Sequence, residues 1–288
     1  MPEERWPEEK WAEVRDLHMR YLDWGGGGTP VLALHGLASS SHWYDTVAPL
    51  LRQDFRIIAP DQRGHGQTTQ APSGYDWASV ASDAVGLLDH LGVEQAAVLG
   101  HSWGGNVAVS VAAKFPDRIT SLVMIEGGFF SPMIMPGATW EQFQARLAPR
   151  DISGTREAYL ARMKSGLSMC WSDDIARILL TMVNEDEQGQ MNDILRPEHH
   201  AQVIRAMWDD PASETWPHIA CPTLIVAAGP MPDRADTDFA VMRRKMVEMA
   251  NKSISDCRVT WIPETIHDIG WHKPDELAVA IKGFLNGD

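Results

Sequence analysis

One short stretch limits the folds open to this chain more than any other. Ala96 to Leu99, an apolar run suited to a strand, feeds directly into Gly100-His101-Ser102-Trp103-Gly104, and the small residues Val107 to Ala113 follow as a helix. A strand that becomes a helix over so few residues must take strained backbone at its turn, and glycines at 100 and 104 let two backbones pass closely. Ser102 would stand at the tip of that turn, clear of the sheet. The amide of Trp103, in the exposed first turn of the helix, would face negative charge developing on a neighbouring oxygen. A bare Gly-x-Ser-x-Gly also arises by chance around an ordinary serine, so the strand before it, the helix after it and the partners found further along carry the case for a nucleophile.

Around this element the chain alternates strands and helices. Residues 1–12 are charged and dotted with tryptophan, as in a surface arm, and Val14 to Trp24 reads as an edge strand or hairpin that stops at Gly25 to Gly28. Pro30 to Leu34 and Arg56 to Ala59 are continuous apolar runs, the pattern of strands buried on both faces. A helix is expected over Ser41 to Gln53, and a second from an N-cap at Asp76 through Leu91. Ser121 to Ile125 is the next strand. After an interruption the rhythm resumes with Thr223 to Ala228, a helix from Asp236 to Ala250, a last strand over Arg258 to Ile262, and a helix from Pro274 to Leu285. Such alternation implies a parallel sheet with helices on both faces, whose ligands gather at the carboxyl ends of the strands. His35-Gly36-Leu37, Asp61, Ser102 and Glu126 all fall just past a strand.

The interruption spans residues 133–217, flanked by core segments 1–132 and 218–288. It shows no convincing strand and reads as helices over Trp140 to Leu147, Thr155 to Lys164, Asp173 to Val183 and Pro197 to Trp208. A helical segment that leaves the sheet after one strand and returns before the next is expected to lie over the strand ends as a cap.

Composition narrows the partners. A net charge of -14 argues against nucleic acid or an anionic membrane surface. Met1 to Lys10 has no apolar signal core and no stretch is long enough to span a bilayer, which leads to the expectation of a cytoplasmic protein. Cys170, Cys221 and Cys257 lie far apart without Cys-x-x-Cys pairing, so free, mostly buried thiols are expected rather than a disulfide framework or zinc site.

The order of His35-Gly36, Asp61-Gln-Arg-Gly-His-Gly66, Gly100-His-Ser-Trp-Gly104 and a late His267 before Pro274-Asp-Glu-Leu resembles the α/β-hydrolase family over nearly the whole chain. Each piece is weak alone, but four in order are specific. The resemblance implies an α/β-hydrolase fold, with an eight-stranded, mostly parallel sheet and a helical cap. It also implies no cofactor, and a catalytic unit of serine, acid and histidine in that chain order.

Within that frame His267 is the candidate base that takes the Ser102 proton and returns it to the leaving group. Its rival His272 lies next to Lys273, a poorer setting for an imidazole that must accept a proton. Two carboxylates compete to hold the imidazole. The family usually places an aspartate after the strand here read as Thr223 to Ala228, but Gly229-Pro-Met-Pro-Asp233 departs from the family spacing and is stiffened by prolines, and Asp236 and Asp238 lie further off. Glu126 ends the preceding strand, where some branches carry their acid, and is placed ahead of Asp233. Both could instead line a pocket or pair with an arginine. The amides of Trp103 and Leu37 are the candidate oxyanion donors. His65 and His101 read as structural. His199-His200 reads as a solvated pair with no third ligand at helical spacing, so no metal is assigned.

The insert holds Met133, Met135, Met163, Met169, Met182, Met191 and Met207 with Trp140, Trp171, Trp208 and Trp216. These residues favour an apolar or aromatic substrate over a sugar, although most must also build the insert's own core. Its 13 acidic and 8 basic residues argue against a coenzyme A thioester or phosphate-bearing substrate. The expected activity is hydrolysis of carboxylic esters or lactones of small apolar or aromatic molecules. Set beside it are cleavage of an amide or a carbon-carbon bond, a ligand-binding protein of low turnover, and a cofactor-free oxygenase or peroxidase. A serine at 102 excludes the halide and epoxide branches, which need a carboxylate there.

Overall fold

The first two strands, β1 (Glu8–Val14) and β2 (Leu17–Asp23), form an antiparallel hairpin in a computed structural model that describes residues 6–132 and 137–287. β1 corrects the expectation of a surface arm over residues 1–12 from Glu8 onward, while residues 1–5 lie outside the described residues. Ala12 and Val14 are buried, Glu9 accepts from the buried Arg20 at 2.9 Å, and Lys10 donates to the buried Asp23 at 3.1 Å. β3 (Thr29–Leu34) follows, then a 3-10 turn over Ser41–Thr46, a short helix α1 (Ala48–Leu51) and β4 (Phe55–Pro60). The single helix expected over Ser41 to Gln53 is thus broken. Pro49 has no amide hydrogen to give a helix interior and is accommodated in the first turn of a new helix instead.

α2 (Trp77–His90), β5 (Ala96–His101), α3 (Trp103–Lys114) and β6 (Ile119–Ile125) complete the first half. Asp76 caps α2 as expected, its carboxylate accepting from the Ser79 amide at 3.0 Å. The insert carries α4 (Trp140–Arg146), α5 (Arg156–Gly166), α6 (Asp173–Leu180), β7 (Val183–Glu185), β8 (Met191–Asp193) and α7 (Pro197–Asp209). Thr139, Thr155 and Ser172 cap α4, α5 and α6 through their side-chain oxygens. The β7–β8 hairpin corrects the expectation of an insert without strands. Its turn is set by Asp186, whose carboxylate accepts from the amides of Gln188 and Gln190. The chain then returns through β9 (Thr223–Ala228), α8 (Asp238–Ser253), β10 (Cys257–Ile262), α9 (Ile269–His272) and α10 (Pro274–Asn286).

The sheet has eight strands in the order β1-β2-β4-β3-β5-β6-β9-β10, parallel from β4 onward. Its central strands alternate their apolar side chains between two cores. Leu32, Leu34, Val98, Leu122, Met124 and Ile225 face α2, α3 and α8. Val31, Ala33, Leu99, Val123, Ile125 and Val226 face α1 and α10. Both faces are dry, which is why these strands read as unbroken apolar runs. Tyr159, Ile175, Ile178 and Leu179 of α5 and α6 extend the second core, while Val203, Ile204 and Met207 of α7 extend the first. Among the described residues no helix is long and apolar enough to cross a membrane.

Candidate active site

β5, β3, β6 and β9 end at one edge of the sheet, and the candidate residues gather there. Ser102 joins β5 to α3 with φ 54° and ψ -122°, a conformation that costs an L-residue on the order of 1–3 kcal/mol and persists only where its surroundings hold it. Two bonds do so: the Ser102 amide donates to the Ile125 carbonyl at 3.0 Å, and the Ser102 carbonyl accepts from the Gly105 amide at 2.9 Å. The flanking glycines are sterically required. A Cβ at Gly100 would stand 2.1 Å from the Gly104 carbonyl oxygen, and one at Gly104 2.3 Å from that of Leu34. Among the described residues the Ser102 hydroxyl has no hydrogen-bond partner, so it is open to the cavities described below.

The loop after β3 lies against this elbow. A Cβ at Gly36 would be 3.1 Å from that of Ser102. Two buried imidazoles pin the loop. His35 donates through Nδ1 to the Gly36 carbonyl at 2.8 Å and accepts through Nε2 from the Gln62 amide at 3.0 Å. His65 donates through Nδ1 to the Arg63 carbonyl at 2.9 Å and accepts through Nε2 from the Ala38 amide at 3.1 Å. Each imidazole needs one bare nitrogen for this, and burial keeps both neutral, holding His65 down at about 3. With the Ala38 amide consumed, that of Leu37 donates to none of the described residues. Trp103, first in α3, has an amide without an intrahelical acceptor. Asp61 ties the neighbouring loop to the sheet by accepting from Arg20 at 3.0 Å and from the amides of Ser41 and Gln67.

His267 follows β10. Its neighbour Asp268 anchors the segment by accepting from the Trp43 indole at 2.9 Å. His101, stacked on Trp43 with ring centroids 3.9 Å apart, donates to the His267 carbonyl at 3.3 Å. Burial holds the His101 imidazole well below its usual range, which suits a neutral donor. The His267 ring has no hydrogen-bond partner among the described residues. His272 is paired with the Thr265 hydroxyl at 2.9 Å and lines neither cavity at Ser102.

Glu126, at φ 42°, reaches across the end of β9. Its carboxylate accepts from the Ala228 amide at 2.6 Å and from the Arg243 guanidinium at 2.8 Å. It lines one cavity together with Ser102 and His267, whereas Asp233 sits exposed on a turn over Pro232–Arg234 and lines neither. The structure thus brings Glu126, and not Asp233, to the cavity shared by Ser102 and His267, where its carboxylate accepts from Arg243 and Ala228 and has no hydrogen bond with His267.

Two cavities meet at this point. The larger, about 530 Å³, runs between Leu37, Trp43 and the insert residues Met163, Leu167 and Met182. The smaller, about 310 Å³, is walled by Phe129, Phe130, Met207 and the α8 side chains Phe239, Met242 and Met246. α8 was absent from the expected substrate walls. Its lining residues Phe239, Met242, Arg243 and Met246 recur at helical spacing, a signal legible in the sequence, but Arg243 interrupts its apolar character. His199 and His200 correct the expectation of a solvated pair, since both are buried. His199 stacks on Tyr75 and bonds to Gln70, and His200 lines the larger cavity. The three cysteines are free, Cys221 buried and the others half-buried. Met133 and Met135 lie outside the described residues.

A family model described as alpha/beta hydrolase fold matches residues 29–228. A 2-(acetamidomethylene)succinate hydrolase of Mesorhizobium japonicum is 28% identical over 266 residues, 91% of this chain and 89% of that protein. A soluble epoxide hydrolase of Corynebacterium sp. is 35% identical over 115 residues, 40% of each chain. For this and several other curated relatives the matched segment spans only 30% to 40% of their length. A crystal structure of E-2-(acetamidomethylene)succinate hydrolase superposes with a TM-score of 0.79 over 98% of this chain and 100% of that one, at 23% identity, a likeness of fold.

Proposed function

The chain belongs to the α/β-hydrolase fold family, and from that premise we propose that it is a serine hydrolase that cleaves carboxylic esters or lactones of small apolar or aromatic molecules. Ser102 Oγ attacks the acyl carbon while His267 takes its proton. The oxyanion that forms accepts from the amides of Leu37 and Trp103. Collapse breaks the bond to the leaving alcohol, which takes the proton from His267, and an acyl-enzyme remains. Water, deprotonated by His267, then releases the acid by the same route. Glu126 is the proposed acid that steadies the His267 imidazolium.

The observation that carries this reading is the strained Ser102 elbow beside a pinned loop, with His267 lining the same two cavities. Apolar side chains make up most of the walls, which supports apolar or aromatic substrates. An amide substrate is the second reading, favoured by the Mesorhizobium relative, whose named substrate carries an acetamido group and whose similarity spans 91% of this chain. A fluorophosphonate probe is expected to label the wild type and to leave Ser102→Ala unlabelled, with turnover of p-nitrophenyl esters lost in the same variant. Equal labelling of both proteins overturns the proposal. Turnover of anilides at rates matching the esters moves the assignment to amides.

A further inference from the structure

Among the described residues four line both cavities: Ser102, His267, Arg146 and Leu147. The first two are the proposed reacting groups. The other two are the last residue of α4 and its C-cap, and the exposed Arg146 borders both chambers. With the scissile bond at Ser102, the acyl and leaving portions of a substrate extend into different chambers, and Arg146 borders both. This step rests on the serine-hydrolase proposal; the chemistry of Arg146 does not.

The cationic side chains here differ in what they have left to offer. Arg243 gives Nη1 to Glu126 at 2.8 Å. Arg150 donates to the Ala38 carbonyl at 2.8 Å and has Asp193 at 3.6 Å. Arg146 has no carboxylate partner among the described residues. Its guanidinium carbon lies 5.3 Å from the centre of the Phe239 ring, and that ring has Arg243 at 5.5 Å as well. Stacking orients the guanidinium while leaving its N–H groups free to meet a planar anion with two parallel hydrogen bonds. The carboxylates near the passage are already engaged, Glu126 by Arg243 and Asp268 by Trp43.

We propose that Arg146 is a substrate-anchoring residue and that the preferred ester carries a free carboxylate on the portion that spans the two chambers. A monocarboxylate is the anion that fits. The passage presents one unengaged guanidinium, a bidentate partner for a single planar oxyanion, and no cluster for a phosphate chain.

The test compares p-nitrophenyl hydrogen adipate with its uncharged methyl ester. The wild type is expected to favour the acid in kcat/KM by at least about tenfold, and Arg146→Gln to lower that ratio by about 10- to 100-fold, as for loss of a charge-assisted bond. Arg146→Glu is expected to reverse the preference. A ratio in Arg146→Gln within roughly twofold of wild type overturns the inference. A binding arm separates this outcome from failure of the hydrolase reading. Calorimetry on Ser102→Ala with N-(p-nitrophenyl)adipamic acid and its methyl ester should show tighter binding of the acid, lost in Ser102→Ala/Arg146→Gln. If no ester is turned over but the acid is still preferred through Arg146, the hydrolase proposal fails and the anchor stands. Equal affinity for acid and methyl ester in Ser102→Ala overturns the anchor whatever the esters show.

Discussion

Glu126→Gln separates the ion pair with Arg243 that the structure shows from the triad role proposed for the same carboxylate. The side chains of Glu126 and Arg243 are 5% and 13% exposed, so their 2.8 Å ion pair is largely removed from water. Glutamine keeps the shape and can still accept from the Ala228 amide, but it replaces the charge facing Arg243 with a neutral group. Losing the charged partner of a buried guanidinium costs about 2–4 kcal/mol. At about 2–4 °C per kcal/mol for large domains, the melting temperature should fall by roughly 5–15 °C. Arg243→Met is expected to cost a similar amount by stranding the carboxylate. The double variant should then lose less than the sum of the two, because it leaves neither charge unpaired. Catalysis discriminates where stability does not. If Glu126 also steadies the His267 imidazolium, Glu126→Gln should lower kcat by about 10⁴, the scale set by amide replacement of a triad acid. Arg243→Met keeps that carboxylate and should lose less than about a hundredfold. Turnover of a p-nitrophenyl ester, measured well below each variant's melting temperature, decides the matter. A folded Glu126→Gln enzyme within about tenfold of wild type refutes Glu126 as the acid and leaves it as the counterion of Arg243.

Two further changes test the elbow and its supporting loop. Gly104→Ala places a methyl group 2.3 Å from the Leu34 carbonyl oxygen and 2.4 Å from that of His35, both backbone atoms. It should lower stability by about 3 kcal/mol or more, read as a fall in the urea midpoint, and an unchanged midpoint would refute the close packing of α3 on β3. His65, held at about 3 by burial, binds no proton in the folded state across the range where an exposed imidazole, near 6.5, takes one up. Its contribution is therefore fully present above about pH 6.5 and is lost as pH falls from there towards 3. In His65→Gln, whose amide oxygen can still accept from Ala38, the decline in unfolding free energy between about pH 6.5 and 5 should be shallower by up to about 1.4 kcal/mol per pH unit. An unchanged slope removes His65 as the neutral pin of the loop.

Local features carried through from sequence to structure, and those that depend on the direction of a loop or the inside of a helix did not. The Ser102 elbow was legible because glycine spacing, strand and helix all lie within a few residues of one another. The central strands were legible because burial on both faces leaves unbroken apolar runs. β1 was not, because Glu8 and Lys10 occupy the first positions of the face that Ala12 and Val14 bury further on, so the apolar alternation covers only two residues. β7 and β8 span three residues each, too short for any period to register. Glu126 could be nominated from its place at a strand end, but Arg243 could not be seen as its partner, since the two lie 117 residues apart and meet only through the packing of α8. His199 and His200 read as solvated because neither Tyr75 nor Gln70 is near them in the chain.

Charge shows most plainly how scale separates the whole chain from its site. A net charge of -14 describes the exterior, where repulsion acts on partners that spread over many surface residues. At physiological salt such charges are screened beyond about 8 Å, so distant ones set little of the potential where the two cavities meet. There the balance is fixed by a few neighbours: Glu126 is taken by Arg243, Asp268 by Trp43, and Arg146 retains its charge without an acid beside it. The acidic excess that argues against nucleic acid and phosphate chains is therefore compatible with a single carboxylate entering beneath α4. Exclusion of polyanions and acceptance of a small acid draw on different charges, one set distributed over the surface and the other concentrated in one guanidinium that borders the same cavities as Ser102 and His267.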